Sequence, residues 1–194
     1  MKKTLFLTLF LALIVFRGYS QKNPAVTIGY LYSGNTGNHG VGVGFIRNVW
    51  KKGVFMTDAN YFFKHYHGYF AENHQKEYYS RYIAFNLNLG YNVTLTKNIN
   101  LIPYVGVGYF QEFINGYMSS EGTPPVSGVP HSGAPYHVKL KDYPSTITTN
   151  LGFLVEYHLS NRFMATGGLK YMLDTYDGTH NDFPYLTTGI GYKF

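Results

Sequence analysis

Apolar and polar positions alternate with a period of two through most of the chain beyond residue 21. That is the pattern of strands whose two faces meet different surroundings. The longest unbroken run sets Ile83, Phe85, Leu87, Leu89, Tyr91, Val93 and Leu95 against Ala84, Asn86, Asn88, Gly90, Asn92 and Thr94. In 101–113, Leu101, Pro103, Val105, Val107, Tyr109 and Phe113 oppose Ile102, Tyr104, Gly106, Gly108, Phe110 and Glu112. Segments 147–157, 163–173 and 186–194 alternate as clearly, while 26–33, 41–49 and 54–65 do so less cleanly. With 78–95 this predicts eight strands, each about long enough to cross a bilayer at a tilt.

The connections alternate as well. Residues 50–53, 96–100 and 158–162 read as short turns, and 34–39, 68–77, 115–144 and 177–182 as longer polar loops. Short periplasmic turns against longer external loops mark a transmembrane barrel. Thr123, Pro124, Pro125, Gly128, Pro130, Gly133 and Pro135 predict no regular structure in the largest loop.

A soluble barrel hides its large apolar face inside; a membrane barrel turns it outward. One face here is consistently Leu, Val, Ile, Phe and Tyr. The other carries Gly, Asn and Thr with isolated charges at Lys64, Glu112, Glu156, Lys170, Asp174 and Lys193. The apolar face is therefore expected outward and the charges are expected to pair in a plugged lumen, since an unpaired buried charge is expensive and eight strands leave little interior space. Trp50, Tyr91, Tyr157 and Tyr192 fall near one set of strand ends; Tyr32, Tyr61, Tyr78, Tyr109 and Tyr171 or Tyr176 fall near the other. Two aromatic belts suit the two bilayer interfaces.

Composition sharpens this picture. Charged residues are 13% of the 194, aromatics 19%, and Tyr, Phe and Gly number 20, 15 and 22, a charge-poor balance for a soluble domain. There is no cysteine, so disulfides and thiolate metal sites are excluded. Lys2 and Lys3, the apolar run 5–16 and Gly18-Tyr19-Ser20 make residues 1–20 a secretory signal with cleavage expected before Gln21. Removing Lys2, Lys3 and Arg17 leaves 16 − 3 = 13 basic against 10 acidic residues, a net +3. That mild and dispersed charge does not suit nucleic acid.

Candidate chemistry is sparse. His39, His65, His67, His74, His131, His137 and His180 sit near or beyond the external strand ends. His65 and His67 could point the same way, but no third ligand stands at a fixed spacing from them. His158-Leu159-Ser160-Asn161 resembles the His-x-Ser-Asn motif of outer-membrane lipid A deacylases. The resemblance implies His158 as base and Ser160 as nucleophile. No Glu follows Asn161, which leaves Asp174, Asp177 and Asp182, and the motif falls in a predicted short turn.

The ending Gly189-Ile190-Gly191-Tyr192-Lys193-Phe194 resembles the C-terminal assembly signal of outer-membrane barrels. Gly106-Val107-Gly108-Tyr109 and the strand-turn-strand stretch 157–163 resemble the small outer-membrane β-barrel domain families of Bacteroidota. A narrower resemblance, to the conjugal transfer TraO family, rests on 54–64 with Tyr61-Phe62-Phe63, on 151–162 and on the same ending. The Cys-Leu-Pro-Gly segment of that family is replaced by Gln21-Lys22-Asn23-Pro24.

The fold class expected is all-β: an eight-stranded antiparallel up-and-down transmembrane β-barrel, with residues 1–20 a cleaved signal peptide and 21–194 the outer-membrane barrel domain. The function expected is that of a non-enzymatic outer-membrane barrel acting in surface interaction or envelope structure through its external loops. A component of a transfer or secretion machine and a lipid A-modifying hydrolase are the alternatives. No catalytic, cofactor-binding or metal residue is assigned and no cofactor is implied. Expected partners are the lipid bilayer, the barrel assembly machinery through the strand ending at Phe194, and surface or machine proteins.

Overall fold

The computed structural model describes residues 24–34, 36–71, 74–120, 136–142, 145–174 and 183–194. The segment 1–20, expected as a signal, the Pro/Gly stretch 123–135, His131, Tyr176, Asp177, His180 and Asp182 lie outside the described residues. The strands in chain order are β1 (Ala25–Tyr32), β2 (His39–Asn48), β3 (Gly53–Ala71), β4 (His74–Tyr91), β5 (Val93–Thr94), β6 (Ile99–Ser120), β7 (Tyr136–Asp142), β8 (Ser145–His158), β9 (Phe163–Asp174) and β10 (Phe183–Lys193).

Eight of them close a ring in the order β4-β3-β2-β1-β10-β9-β8-β6, and β6 returns to β4. Every pairing is antiparallel, so each long strand lies beside its neighbour in sequence. Closure leaves no unpaired edge on the ring, which is the condition for a sheet to sit in lipid. The seam joins the two ends of the chain: Ala25 pairs Lys193, and the Phe194 amide donates to the Pro24 carbonyl at 3.0 Å. β5 extends β4 past a break at Asn92 and pairs with the start of β6.

The outward face is the expected apolar one. Phe85, Leu87, Val107 and Ile190 are 54, 52, 55 and 59% exposed. Their neighbours Ala84, Asn86 and Asn88 are buried. A continuous belt of such residues around a closed sheet has no place in water; it is the surface of a membrane barrel.

The inward face departs from the expectation of a polar lumen. Leu31, Phe62, Tyr82, Ala84, Met172, Phe183 and Tyr185, with Phe110 against them, form one buried apolar layer. Ala25, Ile46, Val54, Met56, Ile102 and Met164, with Tyr104 and Leu154, form a second, nearer the termini. The Phe62 ring meets Phe183 and Tyr185 edge-on at 5.1 and 5.3 Å, the geometry that aromatic quadrupoles favour. An eight-stranded wall leaves an interior that side chains can fill, so apolar residues have dry surroundings on either face.

Two further corrections concern the end opposite the termini. The 68–77 segment, expected as a loop, is the top of a β3–β4 hairpin whose ladder runs to Ala71↔His74. The 115–144 segment is likewise strand in part: β6 continues to Ser120 and β7 pairs back onto it. These strands carry rings such as Tyr66 and Tyr79, 5.3 Å apart across the pair, and cross-strand aromatic pairs hold a ladder together beyond the belt. The barrel rim is therefore uneven, with a wall on the β3–β4–β6 side.

Candidate functional site

Asp58 lies on β3, between the two apolar layers. The Lys170 ammonium of β9 donates to its Oδ2 at 2.5 Å. Asn60 and Asn86 donate to its Oδ1 at 2.5 and 2.6 Å, and Asn88 reaches Oδ2 at 3.3 Å. Asn150 of β8 extends the network by donating to Asn86 Oδ1 at 2.9 Å and Asn88 Oδ1 at 3.2 Å. Thr148 donates to Asn150 Oδ1 at 3.1 Å, and Asn60 to the Tyr185 hydroxyl at 3.0 Å. Five strands are thus tied across the lumen. The layer answers the rule that buried charge must be paired and its remaining acceptors satisfied.

Small residues make room for it. A Cβ at Gly108 would sit 2.5 Å from Asn86 Oδ1 and 2.6 Å from the Thr148 hydroxyl, so a larger residue there would have to displace these side chains of the network. Beside the layer remains a cavity of about 90 Å³, lined in part by Thr27, Gly44, Asp58, Thr166 and Lys170. That is space for a few waters.

Asp58 was not among the charges that sequence reading placed in the lumen. The signal was available: an ionisable residue mid-way along a membrane-crossing strand must face inward. It was masked because β3 carries apolar Val54, Met56 and Phe62 on its inner face and small Thr57 and Ala59 on its outer face. Lys170 and Glu156 are buried as expected. The side chain of Asp174 lies outside those described.

Lys64, expected inward, is outward. The register of β3 on β4 shifts between Phe62↔Tyr82 and His65↔Ser80, so Phe63 and Lys64 together face Arg81. A bulge of this kind puts two residues opposite one and re-aims a side chain. Tyr78 is also corrected: it shares the inner face with Ser80 and Tyr82, and Tyr79, 42% exposed, takes the place on the outer belt.

The His158 motif sits at the terminal end. Asn100 meets His158 Nε2 at 2.8 Å, and the Lys193 ammonium meets Nδ1 at 2.5 Å. Glu156 Oε2 is 3.7 Å from Nε2. Ser160 is exposed, and its hydroxyl accepts the backbone N–H of Arg162 at 3.3 Å and of Phe163 at 3.0 Å. Thr96 does the same in the neighbouring turn, accepting from Asn98 at 3.3 Å and Ile99 at 3.1 Å. Both hydroxyls are turn-closing acceptors. Their equivalence shows that this geometry requires no nucleophile.

His39 projects outward between Tyr30 and Tyr32, with the Tyr30 hydroxyl bonded to its Nδ1. His65 stands at the bulge, and the side chains of His67, His74 and His137 lie outside those described. Among the described residues no group of three or more His, Cys, Asp or Glu side chains could hold a metal ion.

Comparison with solved structures places the architecture. The chain superposes on OprG of Pseudomonas aeruginosa with a TM-score of 0.57 at 11% identity, covering 91% of this chain and 98% of that one. The fold is that of small outer-membrane barrels. A major outer membrane protein of Thermus thermophilus matches with a TM-score of 0.56 at 11% identity, over 90% of this chain and all of the other. Ail, the attachment invasion locus protein of Yersinia pestis, matches at 0.54 and 12% identity, over 89% and 99% of the two chains. No family model and no curated protein sequence matches the chain.

Proposed function

We propose that this protein is a non-enzymatic integral outer-membrane barrel with a plugged lumen, working in surface interaction or envelope structure through the end opposite its termini. The observation that carries the reading is the pairing of an apolar exterior with an interior filled at three levels: two apolar layers with the Asp58–Lys170 network between them. A filled interior is what eight strands favour over a channel. Work on solutes is then left to the rim, where the β3–β4 hairpin and β6 with β7 rise above the belt. Exposed segments on a rigid scaffold are where binding concentrates.

On the same reading, residues 1–20 are the export signal, 21–194 the barrel, and β10 with the following Phe194 the part presented to the barrel assembly machinery. The termini and short turns face the periplasm, and the wall faces outward. The lipid A hydrolase alternative finds no support in Ser160, whose hydroxyl closes a turn as Thr96 does.

The test is electrical. The mature protein, added to planar bilayers, is expected to insert without producing discrete conductance steps. Reproducible steps in a symmetrical salt solution would replace this reading with that of a channel.

A further inference from the structure

We propose that the outer wall at the β3 bulge holds a phosphorylated headgroup of an outer-leaflet lipid, with Lys64 and Arg81 as its two cationic contacts. The inference rests on the outer-membrane reading above. Strict alternation from Phe62, which is fully buried, would turn Lys64 into the lumen. The bulge instead leaves Phe63 and Lys64 both opposite Arg81. Phe63 is 45% exposed, and the Lys64 ammonium lies 3.8 Å from the centre of the outward Tyr79 ring. Arg81 is exposed on the same face of β4, with its guanidinium 5.0 Å from the Phe113 ring of β6. Each cation is thus held in place by an aromatic face.

Two like charges directly opposite one another on paired strands repel. Among the described residues neither of them meets a carboxylate within ion-pair distance. Their height on the barrel identifies the counter-charge. Below Arg81 on the same face of β4 come Ile83, Phe85, Leu87 and Leu89, which belong to the apolar belt; above it stands Tyr79. The cations therefore stand at the rim of the belt, at headgroup level, where Tyr and basic residues meet the polar part of a bilayer. An oxyanion between a guanidinium and an ammonium would take charge-assisted hydrogen bonds from both. The anion that is always present at that level is a lipid phosphate.

The experiment uses the full mature chain in nanodiscs of zwitterionic lipid doped with a lipid A phosphomonoester species, and counts co-purifying lipid A per barrel by native mass spectrometry. The wild type is expected to retain lipid A about tenfold or more above a Lys64→Gln/Arg81→Gln variant, as the loss of two interfacial cations implies. Arg47→Gln, which removes a cation of β2, is expected to retain it as the wild type does. Deleting Lys64, which returns β3 to regular alternation without touching the inner face, should lower retention while the barrel still forms. Inorganic phosphate should fail to displace the lipid; displacement at millimolar concentration would make this a site for the free anion and overturn the proposal. Insertion of all variants with equal lipid A retention would overturn the site alone. Failure of every form to insert into zwitterionic nanodiscs would overturn the outer-membrane reading, and this site with it.

Discussion

At the residue scale the molecule turns on Asp58. It is one carboxylate holding a lysine and three asparagine amides inside a closed sheet. Removing one partner of a buried ion pair leaves the other charged and unsatisfied, at about 3–5 kcal/mol, whereas removing both together is far milder. Asp58→Ala is therefore expected to destabilise the barrel by that amount, and Asp58→Ala/Lys170→Met to recover most of it. Urea unfolding in lipid vesicles measures both. Equal losses in the single and double variants would mean that the pair is not coupled. Asp58 also marks a limit of the alternation pattern. Lys170 was legible because it falls in phase with Thr166 and Gly168 in a clean alternation against Ala165, Leu169 and Tyr171. Asp58 was not, because both faces of β3 mix sizes and polarities.

At the scale of elements, the outward halves of the strands were legible and the upper hairpins were not. Lipid imposes one requirement on every outward residue, so Ile83 to Leu89 and Val105 to Tyr109 announce their face. The lumen imposes local requirements that differ from layer to layer, and Leu31, Met56 and Met172 fill it as readily as Asn86 does. The bulge at Phe63 and Lys64 has no signature in a period-two pattern beyond two consecutive outward residues, and it reversed the expected place of Lys64. Aromatic strand formers and polar residues share the segment from Tyr66 to Tyr79, so a paired hairpin there read as a loop. The short turns were legible, and the structure adds their chemistry. Thr96→Ala and Ser160→Ala each remove one turn-closing acceptor and are expected to cost a similar ~1 kcal/mol. Neither should alter lipid A in cells that overproduce the protein. A changed lipid A mass spectrum that Ser160→Ala abolishes and Thr96→Ala leaves in place would restore the hydrolase reading.

At the scale of the whole molecule, a closed antiparallel ring turns its apolar face to lipid and fills its interior with two apolar layers around a charged one. Topology was the most legible feature of all, because an even number of alternating segments joined by alternating short and long connections has few other solutions. What the sequence could not convey is the uneven rim, which depends on which hairpins continue to pair above the belt. The chain has no cysteine, so single cysteines report cleanly on which face meets lipid. Leu87→Cys and Asn88→Cys, adjacent on β4 but 52 and 2% exposed, would each carry an environment-sensitive fluorophore in vesicles containing brominated lipid. Strong quenching and ready labelling are expected at position 87, with little of either at position 88. The opposite order, or equal quenching at both, would mean that the apolar face does not meet lipid.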